Sequence, residues 1–110
     1  MDIKTFINSI QTTPRMYIEE IKIEYIYYLV VGFIGSNLIN GRTYNSDQKF
    51  KEYFSGWLLN WVTKNLDKNY ERKSFFWYHI LCDVTDSESE AVELFFELCS
   101  IFFEQLDELN

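Results

Sequence analysis

From Ser87 to Leu109 the chain runs without a glycine or a proline. Its apolar residues Ala91, Val92, Phe95, Leu98, Cys99, Phe102, Leu106 and Leu109 recur at intervals of three and four. That spacing is one face of an α-helix, and the segment is far longer than a usual strand of about 5–6 residues. Two overlapping capping boxes, Thr85-x-x-Glu88 and Ser87-x-x-Glu90, mark its start. Leu94, Phe96, Ile101 and Phe103 widen the apolar side beyond one face, as expected for a helix packed between two neighbours. A hydrophobic rim to a partner site, or a homodimer contact, is the other reading of that excess.

The remaining segments follow the same period. Asp2 is placed to cap a first helix bearing Ile3, Phe6, Ile7 and Ile10 on one face. Thr12-Thr13-Pro14 ends it, because the residue before a proline is pushed out of the α region. Arg15 to Glu20 reads as an irregular connector. Ile21 to Asn40 reads as a long central helix with Ile23, Ile26, Tyr27, Val30, Phe33, Ile34 and Leu38 as its stripe, closed by Gly41 in a left-handed conformation. Asn45 or Ser46 would cap a third helix, Asp47 to about Leu66, with Phe50, Phe54, Trp57, Leu58, Trp61 and Val62 inward. Gly56 within it marks a kink or a close helix contact. After a polar linker, Ser74 would cap a fourth helix, Phe75 to about Val84. The expected fold is all-α, a compact bundle of about five helices forming a single domain over residues 1–110.

The totals agree with that. With 110 residues, 47% hydrophobic and 19% aromatic, the chain can fill a core, and one proline with four glycines disfavours a many-turned β-fold. Cys82 and Cys99 lie in apolar segments and make no disulfide framework, so a reduced, cytoplasmic setting is expected. The start, MDIKTFINSI, lacks the features of a signal peptide. The longest apolar run, Ile26 to Ile34, falls well short of the roughly 20 residues of a membrane span.

Little in the sequence points to catalysis. His79 is the only histidine, with Cys82 and Asp83 three and four residues on. A nucleophile, base and orienter could share a helix side in that order, but a histidine packed beside Trp77 and Tyr78 explains the pattern as well. No metal-ligand spacing, phosphate loop or nucleophile elbow occurs, and no cofactor or metal is expected.

The charge distribution carries more. The net charge is −7, yet through Lys73 there are ten basic and eight acidic residues, and from Ser74 onward nine acids and no base. Such an end repels nucleic acid and attracts a basic protein. Glu90, Glu93, Glu97, Glu104 and Glu108 fall on one helical stripe, with Asp86 extending it backward and Asp107 flanking it. Like charges at i,i+4 cost about 0.2–0.5 kcal/mol per pair, and no lysine or arginine on this helix relieves them. The helix dipole offsets only the acids of the first turn. Either the stripe is a solvated face or Asp86, Glu90, Glu93, Glu97, Glu104, Asp107 and Glu108 form a docking surface for a cationic partner.

The chain resembles small bacterial immunity proteins of polymorphic and contact-dependent growth inhibition toxin systems. Pro14-Arg15-Met16-Tyr17-Ile18 follows a short amphipathic helix where relatives often read Arg-Pro-Gly-Met-Tyr-Ile-Gly, with Arg15 and Glu19 standing at the two glycine positions. The Phe50, Phe54, Trp57, Trp61-Val62 segment matches a Phe-rich helix ending in Trp-Val. Trp77 to Leu81, an acidic cap and Ala91-x-Glu93-x-Phe95-Phe96-x-Leu98 complete the likeness, which covers most of the chain through short, mainly hydrophobic motifs. The resemblance implies a non-enzymatic, all-α, cytoplasmic protein that binds and neutralises one cognate toxin. The acidic charge fits a toxin with a basic nuclease cleft. An acidic DNA mimic or host-protein inhibitor from a phage or prophage is the alternative, and a small His79 enzyme or an oligomeric structural subunit stand further off. No nucleic acid or membrane partner is expected. The oligomeric state stays open, leaning to a monomer.

Overall fold

The computed structural model of the protein describes residues 1–109, with side chains for residues 1–108. Five α-helices and one 3₁₀ turn follow in order: α1 (Ile3–Thr12), the turn Pro14–Met16, α2 (Ile23–Ile39), α3 (Asn45–Asn65), α4 (Tyr78–Asp83) and α5 (Glu88–Leu109). No strand occurs among the described residues. The fold is an all-α bundle, as expected.

The hub is α5, not α2. α5 packs against each of the other four helices, whereas α2 meets α1, α4 and α5 and makes at most sparse contact with α3. This accounts for much of the apolar excess on α5. Phe103 is buried in the core, and Leu94, Phe96 and Ile101 are half-buried against it. Leu109, expected on the same stripe, has its side chain outside those described.

The core is mainly aromatic where α3, α4 and α5 converge. Phe54, fully buried, meets Trp77 edge-on at 5.2 Å and Phe102 at 5.3 Å, and stacks on Phe50 at 4.4 Å. Trp77 lies flat on Phe95 at 5.1 Å. Such pairs add about 0.5–1.5 kcal/mol each beyond the area they bury. Trp57, half-buried, turns its indole Nε1 to the Gln105 Oε1 at 2.7 Å. On the other side of the bundle Phe6 of α1 stacks on Phe33 of α2 at 4.1 Å.

The helix ends depart from local expectation in informative ways. Asp2 does cap α1, accepting the Thr5 N–H at 3.0 Å. Its Oδ2 also accepts the Ser46 hydroxyl at 2.7 Å, so Ser46 serves α1 rather than the start of α3. Burial pushes the Asp2 pKa up, but the hydrogen bonds from Ser46 and Thr5 outweigh it and hold the group below its ordinary value. α3 begins at Asn45, and neither Asn45 nor Ser46 caps it. Asp47, in the first turn, is buried, its Oδ1 accepting the Ile3 N–H of α1 at 2.6 Å and its Oδ2 accepting from Asn37 Nδ2 of α2 at 2.9 Å. Asn37 therefore occupies the buried place on α2 expected of Leu38, which is 44% exposed. The end of α2 follows expectation: Gly41 has φ 72°, with Arg42 N–H donating to Asn37 O at 2.8 Å and Gly41 N–H to Leu38 O at 3.1 Å, a Schellman closure.

Two further expectations are corrected. The fourth helix starts at Tyr78, not Phe75. Ser74 Oγ accepts the Phe76 N–H at 3.2 Å, and the Arg72 guanidinium takes the carbonyls of Ser74 and Phe75. Local bonds of this kind compete with a helical turn. Gly56 marks no close contact: a Cβ there would meet nothing within 4 Å, and α3 is continuous through it. Arg15 and Glu19 lie in and after a 3₁₀ turn with no positive φ, so neither needs glycine's conformational range.

Candidate partner-binding site on the acidic helix

The start of α5 is set by the Ser87 member of the two expected capping boxes, with its glutamate reaching one residue further back than the cap itself. Ser87 Oγ accepts the Glu90 N–H at 3.1 Å, and Glu90 Oε2 reaches back to the Asp86 N–H at 2.9 Å. The Thr85 box does not form. Thr85 Oγ1 donates to Leu81 O at 2.7 Å, and Glu88 Oε1 accepts the N–H of Ile23 at 2.6 Å, closing the N-terminus of α2 instead.

Asp86, Glu90, Glu93, Glu97, Glu104, Asp107 and Glu108 are all exposed, but they do not act as one strip. Glu90 is occupied by its cap. Asp107 is paired with Lys4 of α1 at 3.2 Å, so relief that α5 cannot supply comes from a neighbouring helix. With side-chain exposures of 45% and 70%, that pair is well screened and contributes little. Glu93 and Glu97 have no salt-bridge partner among the described residues.

Those two carboxylates stand on the lip of a cleft of about 970 Å³ between α5 and the segment that joins α1 to α2. Val92, Phe96 and Ile101 of α5 meet Pro14 and Ile21 across it, and Ser89 and Ser100 add hydroxyls to the rim. Glu104 borders a smaller groove of about 260 Å³ that continues along α5 past Lys4, Asn8 and Ser100. The cleft thus joins an apolar floor to an anionic edge. A ligand that fits it carries an aliphatic or aromatic anchor flanked by cations. No family model, no curated protein and no solved structure matches the chain.

The sequence located the carboxylates by their spacing but missed the floor, which needs Pro14 and Ile21 to arrive from the connector. The only signal was the half-buried share of the apolar excess, Phe96 and Ile101.

Around His79 the geometry is that of a packed ring. His79 is half-buried, tilted against Tyr78 at 4.4 Å and Phe76 at 6.1 Å. The Asp83 carboxylate accepts the Tyr70 hydroxyl at 2.8 Å rather than a histidine N–H. Burial, and then Glu88, Asp83 and Glu24, push the Cys82 thiol above its ordinary pKa, the reverse of nucleophile activation. Cys99 is buried, which raises its thiol well above the usual range. Among the described residues no three His, Cys, Asp or Glu side chains gather as a metal site, and no helix is long and apolar enough to cross a membrane.

Proposed function

We propose that the protein is an immunity-type inhibitor, acting in the cytoplasm, that binds one cognate bacterial toxin and blocks it by laying the α5 edge of the cleft against a basic surface of that toxin. The observation that carries this reading is the pairing of two unpaired carboxylates, Glu93 and Glu97, with an open apolar floor at Phe96 and Ile101. Charge on the rim raises the encounter rate and selects the partner, and an apolar anchor seated on the floor supplies holding energy. Asp86, Glu104 and Glu108 extend the negative field, while Glu90 and Asp107 are partly committed to internal contacts. A toxin with a nuclease cleft has the matching cationic chemistry.

The test is calorimetric titration against the product of the adjacent upstream gene, at two salt concentrations. Wild type is expected to bind tightly, and raising salt is expected to weaken it. Reversing Glu93, Glu97 and Glu104 to lysine is expected to weaken binding by at least about 100-fold and to flatten the salt dependence. Unchanged affinity and salt slope in that variant would remove α5 as the docking edge. Tight binding instead to a host DNA-binding protein, displaced by duplex DNA, would favour the DNA-mimic alternative.

A further inference from the structure

α2 and α3 are joined by a short turn and tied at that end by the bond from Asn37 Nδ2 to Asp47 Oδ2 at 2.9 Å. Farther from the turn they part, and their sparse direct contact leaves a groove of about 700 Å³ between them. That size falls in the range of roughly 300–1,000 Å³ usual for small-molecule sites. The floor is core: Tyr27, Val30, Ile34, Phe50 and Trp77 are each at most 8% exposed. The lips are Val31, Leu38 and Phe75, all exposed. Gly35 and Gly56 stand in the two walls, and a Cβ at either would meet nothing within 4 Å, so no side chain fills the space.

Two polar groups in this lining lack the partners their surroundings call for. Ser55 Oγ is buried and makes no hydrogen bond to any described residue. Arg72 is half-buried and has no ion-pair partner among the described residues, although arginine withdrawn from water is ordinarily paired with an acid. The carbonyls of Ser74 and Phe75 hold its Nε and Nη2, which fixes the guanidinium fork and leaves Nη1 uncommitted. Both groups stand at one end. Burial raises the Tyr27 phenol, and the nearby charge of Arg72 lowers it in part, which places the guanidinium beside Tyr27. Counted from the Asn37–Asp47 bond, Ser55 lies eight residues along α3 and Leu29 eight residues back along α2, so Ser55 comes level with the turn from Tyr27 to Val30. The one acid of the lining, Glu52, belongs to the other end, where it and Lys51 border a hollow of about 160 Å³ at the α2–α3 turn.

We propose that this groove binds a single-chain carboxylic acid of medium length, its carboxylate taken by Arg72 Nη1 and the Ser55 hydroxyl and its hydrocarbon laid along Val30, Ile34 and Phe50 toward Leu38. From Tyr27 to Leu38 the wall of α2 rises about 16 Å, which sets the length of the chain. The pattern of an apolar trough with one cationic, hydroxyl-bearing end matches an amphipathic anion in both charge and polarity. A bound peptide would bring backbone N–H and C=O groups that need partners, and this lining offers few beyond Ser55 and Arg72. A bilayer cannot reach a floor recessed between two helices, and a chain of net charge −7 is repelled by an anionic membrane. The site is independent of the toxin-binding reading, since this groove and the cleft at Glu93 and Glu97 share no residue.

Calorimetric titration of the full chain with monomeric dodecanoate tests the site. Saturable one-to-one binding is expected. Decanoate, shorter by two methylenes, is expected to bind about tenfold more weakly. Dodecanol, which offers Arg72 no charge, is expected to bind at least about tenfold more weakly. Ser55→Ala and Arg72→Gln are each expected to weaken dodecanoate by about fivefold or more. Gly35→Leu puts a side chain into the open space and is expected to abolish binding with helical circular dichroism retained, and Gly56→Leu blocks the groove from the α3 wall if the first variant does not fold. Any of three results overturns the proposal: no saturable binding at millimolar dodecanoate, dodecanol bound as tightly as dodecanoate, or binding indifferent to a filled groove. Association with phosphatidylglycerol vesicles in the absence of dodecanoate binding would likewise overturn it, by assigning the face to a bilayer.

Discussion

The Glu88 carboxylate accepts the backbone N–H of Ile23 at 2.6 Å across 65 positions of sequence. The residue before Ile23, Lys22, supplies no side-chain cap of its own. Glu88 does for α2 what a Ser or Asp at the cap position does elsewhere, and it brings negative charge to the positive end of the helix. Glu88→Ala is expected to lower stability by about 1 kcal/mol. That is a drop of roughly 4 °C in the thermal midpoint for a domain of this size. Glu88→Gln, which keeps an acceptor, is expected to lose less. Thermal melts followed by circular dichroism check both.

Asp47 is the more costly residue to remove. Its two oxygens accept from Ile3 N–H and Asn37 Nδ2, and both Asp47 and Asn37 are buried. Asp47→Ala leaves the Ile3 N–H without a partner and takes from Asn37 Nδ2 one of its two acceptors, the Met1 carbonyl at 3.1 Å remaining, and an unpaired buried donor costs about 1–3 kcal/mol. A loss of about 3 kcal/mol is expected in urea unfolding, larger than for Asn37→Ala. A change under ~1 kcal/mol would show that water replaces the carboxylate there without penalty.

The acids of α5 are expected to separate by function. Asp107→Asn is expected to change affinity for the toxin less than about twofold, since Asp107 is already paired with Lys4 and lies outside the cleft. Glu97→Gln, at the lip, is expected to weaken it by about fivefold or more, mainly through a slower association rate. Stopped-flow association at low salt distinguishes the two.

Tyr70 gives an alkaline signature. Burial, then the hydrogen bond and charge of Asp83, push its phenol up to about 12 from an ordinary value of 10.0. A pKa raised on folding contributes stability that is fully present below the unfolded value and is lost as pH rises through the folded one. The contribution of Tyr70 is therefore expected to disappear between about pH 10 and pH 12. Tyr70→Phe is expected to flatten stability over that window and to remove one late-titrating phenolate from the near-ultraviolet titration. Asp83→Asn is expected to bring that phenolate back toward the ordinary range.

What could be read from the sequence is what local chemistry decides. The period of Ile3, Phe6, Ile7 and Ile10 gave α1, the glycine at 41 gave the end of α2, and the Ser87 box gave the start of α5. What could not be read is where a side chain serves a distant backbone. Glu88 satisfied a local capping pattern and Ser46 stood at a plausible cap position, yet each bonds far along the chain. Asn37 went unremarked on an apolar helix because its partner, Asp47, is on another one. The site divides the same way. Spacing located Glu93 and Glu97, while the floor at Phe96, Pro14 and Ile21 exists only once α5 meets the connector.

The bond between Glu88 and Ile23 also sets an order of events during synthesis. While a ribosome is still extending the chain beyond α4, the Ile23 amide has no acceptor but water, and the inward side of α2 lacks one of the three helices that cover it. The segment with the least charge to keep it soluble is made early and completed late. Its commitment to the native arrangement waits on an acidic helix that has not yet been translated.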